Sequence, residues 1–159
     1  MPDHRTPFPN ADERTTLVAF LDYLRDSIVR KAEGVDDGAV RRPMVDSGTS
    51  LLGLVKHLTM VEVAWFQWTF AGLDVPVPGV ELDDGDTVMS VVADYRAVCA
   101  TSNVIVAECS DLDQRAAIAS TAPEPMSMRW LLVHMVEETA RHAGHADILR
   151  EQIDGEVGR

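Results

Sequence analysis

The chain has 159 residues, enough for one domain with a real core, and its 46% hydrophobic share is that of an ordinary globular protein. Its 14 basic and 26 acidic residues leave a formal net charge of −12, which repels phosphate backbones and anionic lipid and argues against nucleic acid or membrane partners. Residues 1–10, MPDHRTPFPN, are polar and proline-rich, so no secretory signal is expected there; the longest apolar run, 61–70, is interrupted by Glu62 and Gln67 and is too short to cross a bilayer.

Four long segments carry helical periodicity. The first covers 12–33, with Leu17, Phe20, Leu21, Leu24 and Ile28 recurring at three- and four-residue steps, and Gly34 stops it. The second opens after Ser50, an N-cap residue type, and runs to Gly72. Pro76 and Pro78 forbid regular helix in the stretch that follows. The third covers 87–108; its valines and Ile105 would suit a strand as well, but a strand of that length is rare. Residues 111–125 read as a long connection, and Ser127 caps a fourth helix running to about Ile153. Four amphipathic helices in one domain spanning 1–159 predict an all-α four-helix bundle. If Cys99 and Cys109 share the third helix, about 15 Å of rise separates them, too far for a disulfide. Both read as structural thiols of a reducing compartment, and the cytoplasm is the expected location.

The informative feature is a polar stripe where a core face belongs. On the last helix, taking His134 as zero and about 100° per residue, His145 falls near 20°, Glu138 near 40°, Leu131 and Leu149 near 60°, and His142 near 80°. Ionisable residues thus share a face with leucines that must point inward. On the second helix His57 shares a face with Leu54, Val61, Ala64, Trp65 and Trp68, all read as core-facing. A bundle sets such faces against each other, and Glu138 and His142, four apart, are stacked neighbours. One His from a facing helix plus this pair makes three ligands, the number catalytic zinc takes while leaving one position open. Each residue also has a plainer reading. His57 alone would be a hydrogen-bonded core histidine, Glu138 and His142 a surface pair beside Glu137, and His134 and His145 rim residues. Burying several ionisable groups together without a metal, however, is costly.

The stretches SLLGLVKHLTMVEVAWF and HMVEETARHAGHADILRE resemble those of the DinB-like superfamily, which includes mycothiol-dependent maleylpyruvate isomerase N-terminal domains and bacillithiol transferases. The resemblance sets His57 at the first metal-ligand position, within an LxxHLxxxE pattern, and His142 at the last. Glu138 stands where many members have His, as in the maleylpyruvate isomerase branch. It implies a four-helix bundle with a long crossover, and one divalent ion, zinc by expectation, with nickel or another transition metal as alternatives. It also implies a homodimer, and transfer of a small thiol, mycothiol, to an electrophile. The chain as given has no counterpart of the extra C-terminal domain of maleylpyruvate isomerases, so isomerisation is not expected of it.

Beyond those three ligands the roles stay open. His145 could replace a ligand, support one or carry a proton. Arg141, at about −20° on the same wheel, could anchor a substrate carboxylate or pair with Glu137 or Glu138. Trp65 and Trp68 could wall a pocket or fill the core. The leading function is a metal-dependent thiol S-transferase acting on small electrophiles in detoxification. The alternatives are a metal-dependent hydrolase, whose ion activates water, and a non-catalytic metal-binding stress protein with a closed four-ligand site.

Overall fold

The computed structural model describes residues 6–7, 10–119 and 124–157. The N-terminal stretch discussed above falls largely outside them, as does part of the 111–125 connection. Among the described residues five α-helices form: α1 (Glu13–Ala32), α2 (Asp37–Arg41), α3 (Leu51–Glu62), α4 (Val88–Glu108) and α5 (Met128–Asp154). The four long ones are those the periodicity predicts. α2 has only five residues, too few for an apolar stripe to register. Among the described residues no strand forms, and the connection before α5 contributes only an isolated antiparallel bridge between Arg115 and Ser127.

Local chemistry sets the helix ends. Asp12, Ser50, Thr87 and Ser127 each accept a backbone N–H of the first turn through the side chain, and Thr87 does so in a capping box with Ser90. Two C-termini are closed by arginines from neighbouring helices. Arg14 donates to the carbonyls of Val106 and Cys109 at the end of α4, and Arg150 to those of Lys31 and Glu33 at the end of α1. These bonds satisfy carbonyls a helix end leaves orphaned.

The second predicted helix is not uniform. After Glu62 the backbone continues as a π-helix, Val63–Phe70, with wider i→i+5 turns, and ends before Gly72 at φ +66°. This corrects one assignment: Trp68, expected on the core face, is 42% exposed. A 100° step does not track a face through π-helical turns, so the wheel fails beyond Glu62. Phe20 of α1, also expected inside, is exposed at 37%.

α1 lies chiefly along α5, and α3 along α4, while α3 and α5 meet over a shorter seam. The core divides into two apolar clusters, one around Ile28, Leu52, Leu58, Tyr95 and Leu149, the other around Leu21, Phe66, Phe70, Leu131 and Met135. Between them each long helix places polar side chains: Arg25 on α1, Glu62 on α3, Ser102 and Asn103 on α4, Thr139 on α5. Arg25 donates from Nε and Nη2 to the two oxygens of fully buried Glu62 at 2.8 and 2.7 Å, and from Nη1 to Asp22 and Asn103 at 2.8 Å each. The fork matches the carboxylate geometry and compensates charge that burial would otherwise penalise.

Candidate metal centre

The seam between α3 and α5 brings His57, Glu138 and His142 together, each offering one ligand atom, all within 4.8 Å of one another. His142 Nε2 lies 3.1 Å and His57 Nε2 3.5 Å from the same carboxylate oxygen, Glu138 Oε1. The two imidazole rings meet edge to face at 4.9 Å. Glu138 and His142 converge because they are one turn apart on α5; His57 reaches them because Leu54, Val55 and Leu58 bury the adjoining face of α3.

The electrostatics suit a cation. Burial works against the Glu138 carboxylate, but its hydrogen bonds to His142 and His57 and the charge of Arg141 outweigh that, holding it below its ordinary range. Burial pushes the His142 imidazole below its own range; Glu138 opposes this, and His57 and His145 add to it. An ionised carboxylate beside a neutral imidazole is the protonation state a metal needs in its ligands. His142 Nδ1 is buried without a hydrogen-bond partner, so the ring is not spent on a structural network. Two imidazoles and one carboxylate form a donor set that zinc and its neighbours accept. The residues present therefore fit such an ion.

The other predicted residues take different places. His145 is exposed and meets the His142 ring edge on at 5.5 Å, outside the three-donor cluster. Arg141 is exposed and pairs with Glu137, with Glu138 at 3.5 Å. Trp65 lies two turns along the seam, edge to face with His134 at 4.7 Å, and His134 stacks on Trp130 at 5.0 Å. The seam thus ends in an aromatic cluster on one side of the triad. On the other side a cleft of about 440 Å³ opens, with His57 and His142 in its wall. A larger hollow of about 710 Å³ near Glu33, Asp37 and Arg96 touches none of the three donors.

Sequence reasoning missed the Arg25–Glu62 pair and the cleft's loop residues. The former carried a legible signal: Arg25 interrupts the apolar stripe of Leu21 and Ile28, as the histidines do on α5. The latter, from 47–50 and 80–82, carried none, because loops have no periodicity. Both cysteines are free and buried; burial and the charge of Glu62 push the Cys99 thiol up to about 12, and burial also raises Cys109.

A helical bundle that turns two imidazoles and a carboxylate toward one another across its interior is of the DinB-like class that the two sequence stretches resemble. The model of the mycothiol-S-transferase family matches residues 16–155, and the chain belongs to that family. No curated protein matches it. The family description points to a transferase that uses a small thiol.

Proposed function

We propose that this protein is a divalent-metal-dependent mycothiol S-transferase in which His57, Glu138 and His142 hold the ion. The observation that carries the reading is the convergence of these three donors beside an open cleft, in a chain of this family. Zinc is the ion expected, because the set matches its three-ligand catalytic sites. A divalent ion bound there would supply a lowered thiol pKa, so that the nucleophilic thiolate prevails at neutral pH.

The chain's own residues would do the rest. Glu138 supplies the negative charge of the ligand set, and Arg141, paired with Glu137 and Glu138, holds that carboxylate in register rather than anchoring a substrate carboxylate. The cleft wall brings the thiol to His57 and His142. In the transfer the sulfur forms a bond to the electrophilic carbon while the leaving group departs with its electron pair. The thiol's proton passes to solvent, and exposed His145 at the rim is placed to carry it. Trp65, beside Trp130 and His134, offers an apolar surface to the electrophile on the opposite side.

Metal analysis of the purified protein, followed by mycothiol titration of a cobalt-substituted form, tests the reading. One ion per chain and a sulfur-to-cobalt absorption band on adding mycothiol are expected. Failure to take up any divalent ion would reduce the triad to a hydrogen-bonded polar core. Water-dependent turnover without thiol would make it a hydrolase, and a bound ion with neither thiol band nor turnover a non-catalytic stress protein. The reading places the protein in the cytoplasm as a homodimer; no described helix is long and apolar enough to cross a membrane. Exposed Trp68, Trp130 and Val133 give the dimer an apolar face. A dimeric mass at micromolar concentration is expected from light scattering, and a monomer there would overturn that assembly.

A further inference from the structure

We propose that the cleft beside the triad is a subsite for the neutral polyol of the thiol co-substrate, and that Thr49 and Glu81 select that polyol against thiols carrying carboxylates. This rests on the S-transferase reading above and extends it to recognition. Mycothiol joins its cysteinyl thiol through an amide to a glucosamine–inositol unit, dense in hydroxyls and without charge. A thiol reaching His57 and His142 must leave such a unit somewhere along the seam, and the aromatic end, where Trp65, His134 and Trp130 pack on one another, is the end assigned above to the electrophile. The cleft at the other end, at about 440 Å³, has the size of a small-molecule site.

Its walls are built rather than incidental. One wall is the 44–49 turn, closed by the Met44 N–H to the Thr49 carbonyl at 3.1 Å and the Gly48 N–H to the Val45 carbonyl at 3.0 Å, with Gly48 at φ +83°. The turn holds the Ser47 and Thr49 hydroxyls 3.0 Å apart, and each keeps capacity for a further hydrogen bond. The facing wall is the 80–82 strap, where Glu81 makes no hydrogen bond or ion pair to any described residue. The strap is tethered just beyond: Lys56 Nζ donates to Asp86 at 2.5 Å and Asp83 at 3.3 Å, and Arg41 to the Asp86 and Asp83 carbonyls. Between the walls lies Gly53, whose N–H donates to the capping Ser50 Oγ at 3.2 Å; a Cβ there would stand 2.9 Å from that oxygen.

The chemistry of the lining gives the preference. The Ser47 and Thr49 hydroxyls can donate to and accept from the hydroxyls of a polyol, and the Glu81 carboxylate accepts from them. No lysine or arginine among the described residues lines the cleft, and Glu81 adds to the field of a chain with net charge −12. A thiol with free carboxylates, such as glutathione, would meet like charge there and find no cation to pair with.

The test uses N-acetylglucosaminyl-inositol, the neutral polyol without the cysteine, titrated calorimetrically into the full chain without metal. Weak, saturable binding is expected, weakened at least about fivefold by Thr49→Val and by Glu81→Gln, and unchanged by Met89→Gln on the remote face of α4. In the metal-loaded protein, with monobromobimane as electrophile, Glu81→Lys should raise the glutathione-to-mycothiol ratio of kcat/KM at least tenfold. No polyol binding, or equal binding by wild type, Thr49→Val and Glu81→Gln, would overturn the subsite even if mycothiol is turned over. Polyol binding that both substitutions weaken would uphold it even if S-transfer fails, so the two readings fail separately. Because Glu81 lies exposed on the strap, Glu81→Gln remains informative if Thr49→Val disturbs the turn.

Discussion

His142 and Cys99 mark the two ways a titratable side chain is buried in this bundle. His142 lies against a carboxylate and a second imidazole, with burial favouring its neutral form and its Nδ1 atom unpartnered. Cys99 sits among apolar neighbours near Glu62, where burial and that charge push its thiol up to about 12, leaving no thiolate to ligate or attack. His142→Ala is therefore expected to weaken metal binding at least about 100-fold, beyond what loss of a ligand's supporting partner costs. Cys99→Ser should keep one ion per chain. Metal content of both purified variants decides this, and equal loss in the two would dismiss the ligand assignment.

At the scale of elements, the 80–82 strap is tethered to α3 and α2 by polar contacts just beyond it, at Asp83 and Asp86, while Leu82 packs against the core. The hydrogen bond from Lys56 holds the Asp86 carboxyl below its ordinary range, while Lys56 is raised by the same contact. With the folded carboxyl depressed, the stabilisation it provides is present above the unfolded value near about 3.9 and disappears as pH falls through the lower folded value. With the amine raised, its share is present below an unfolded value of about 10.4 and disappears as pH climbs through the folded one. Asp86→Asn should thus lower the melting temperature by a steady margin between about pH 5 and 9, a margin that shrinks toward acid. Thermal unfolding across that range measures it; a constant difference down to pH 2 would show that the ion pair is not its source.

The whole molecule is organised around a polar level separating two apolar clusters, and two different jobs are done there. On the α1–α3–α4 side Arg25, Glu62, Asp22 and Asn103 satisfy one another and tie three helices together. On the α3–α5 side His57, Glu138 and His142 leave donor capacity directed at a common point. The first set is structural, so Glu62→Ala should destabilise the fold by about 3–5 kcal/mol by stranding the Arg25 charge. Replacing both partners, as Arg25→Met with Glu62→Leu, should recover most of that loss, since buried pairs are often matched by apolar residues of similar volume. Urea unfolding midpoints of the single and double variants provide the comparison. A double variant as unstable as the single would mean that the pair acts through more than its charges.

Much of this was legible before any fold was known. The helix boundaries follow from capping side chains at Asp12, Ser50, Thr87 and Ser127 and from a 3.6-residue repeat, both local properties of the chain. The polar stripe on α5 was equally visible, because a regular helix converts spacing into direction. Tertiary structure alone decided the rest. It turned Trp68 outward where the π-helix breaks that conversion, and left His145 outside the donor cluster while drawing His142 in. It also paired Arg25 with Glu62 across 37 positions, and brought loops from 47–50 and 80–82 to face each other across a cleft. The physical reason is common to all of these: direction within a helix is set by nearest-neighbour hydrogen bonds, whereas which faces meet, and where a loop comes to rest, is set by packing between segments far apart in the chain.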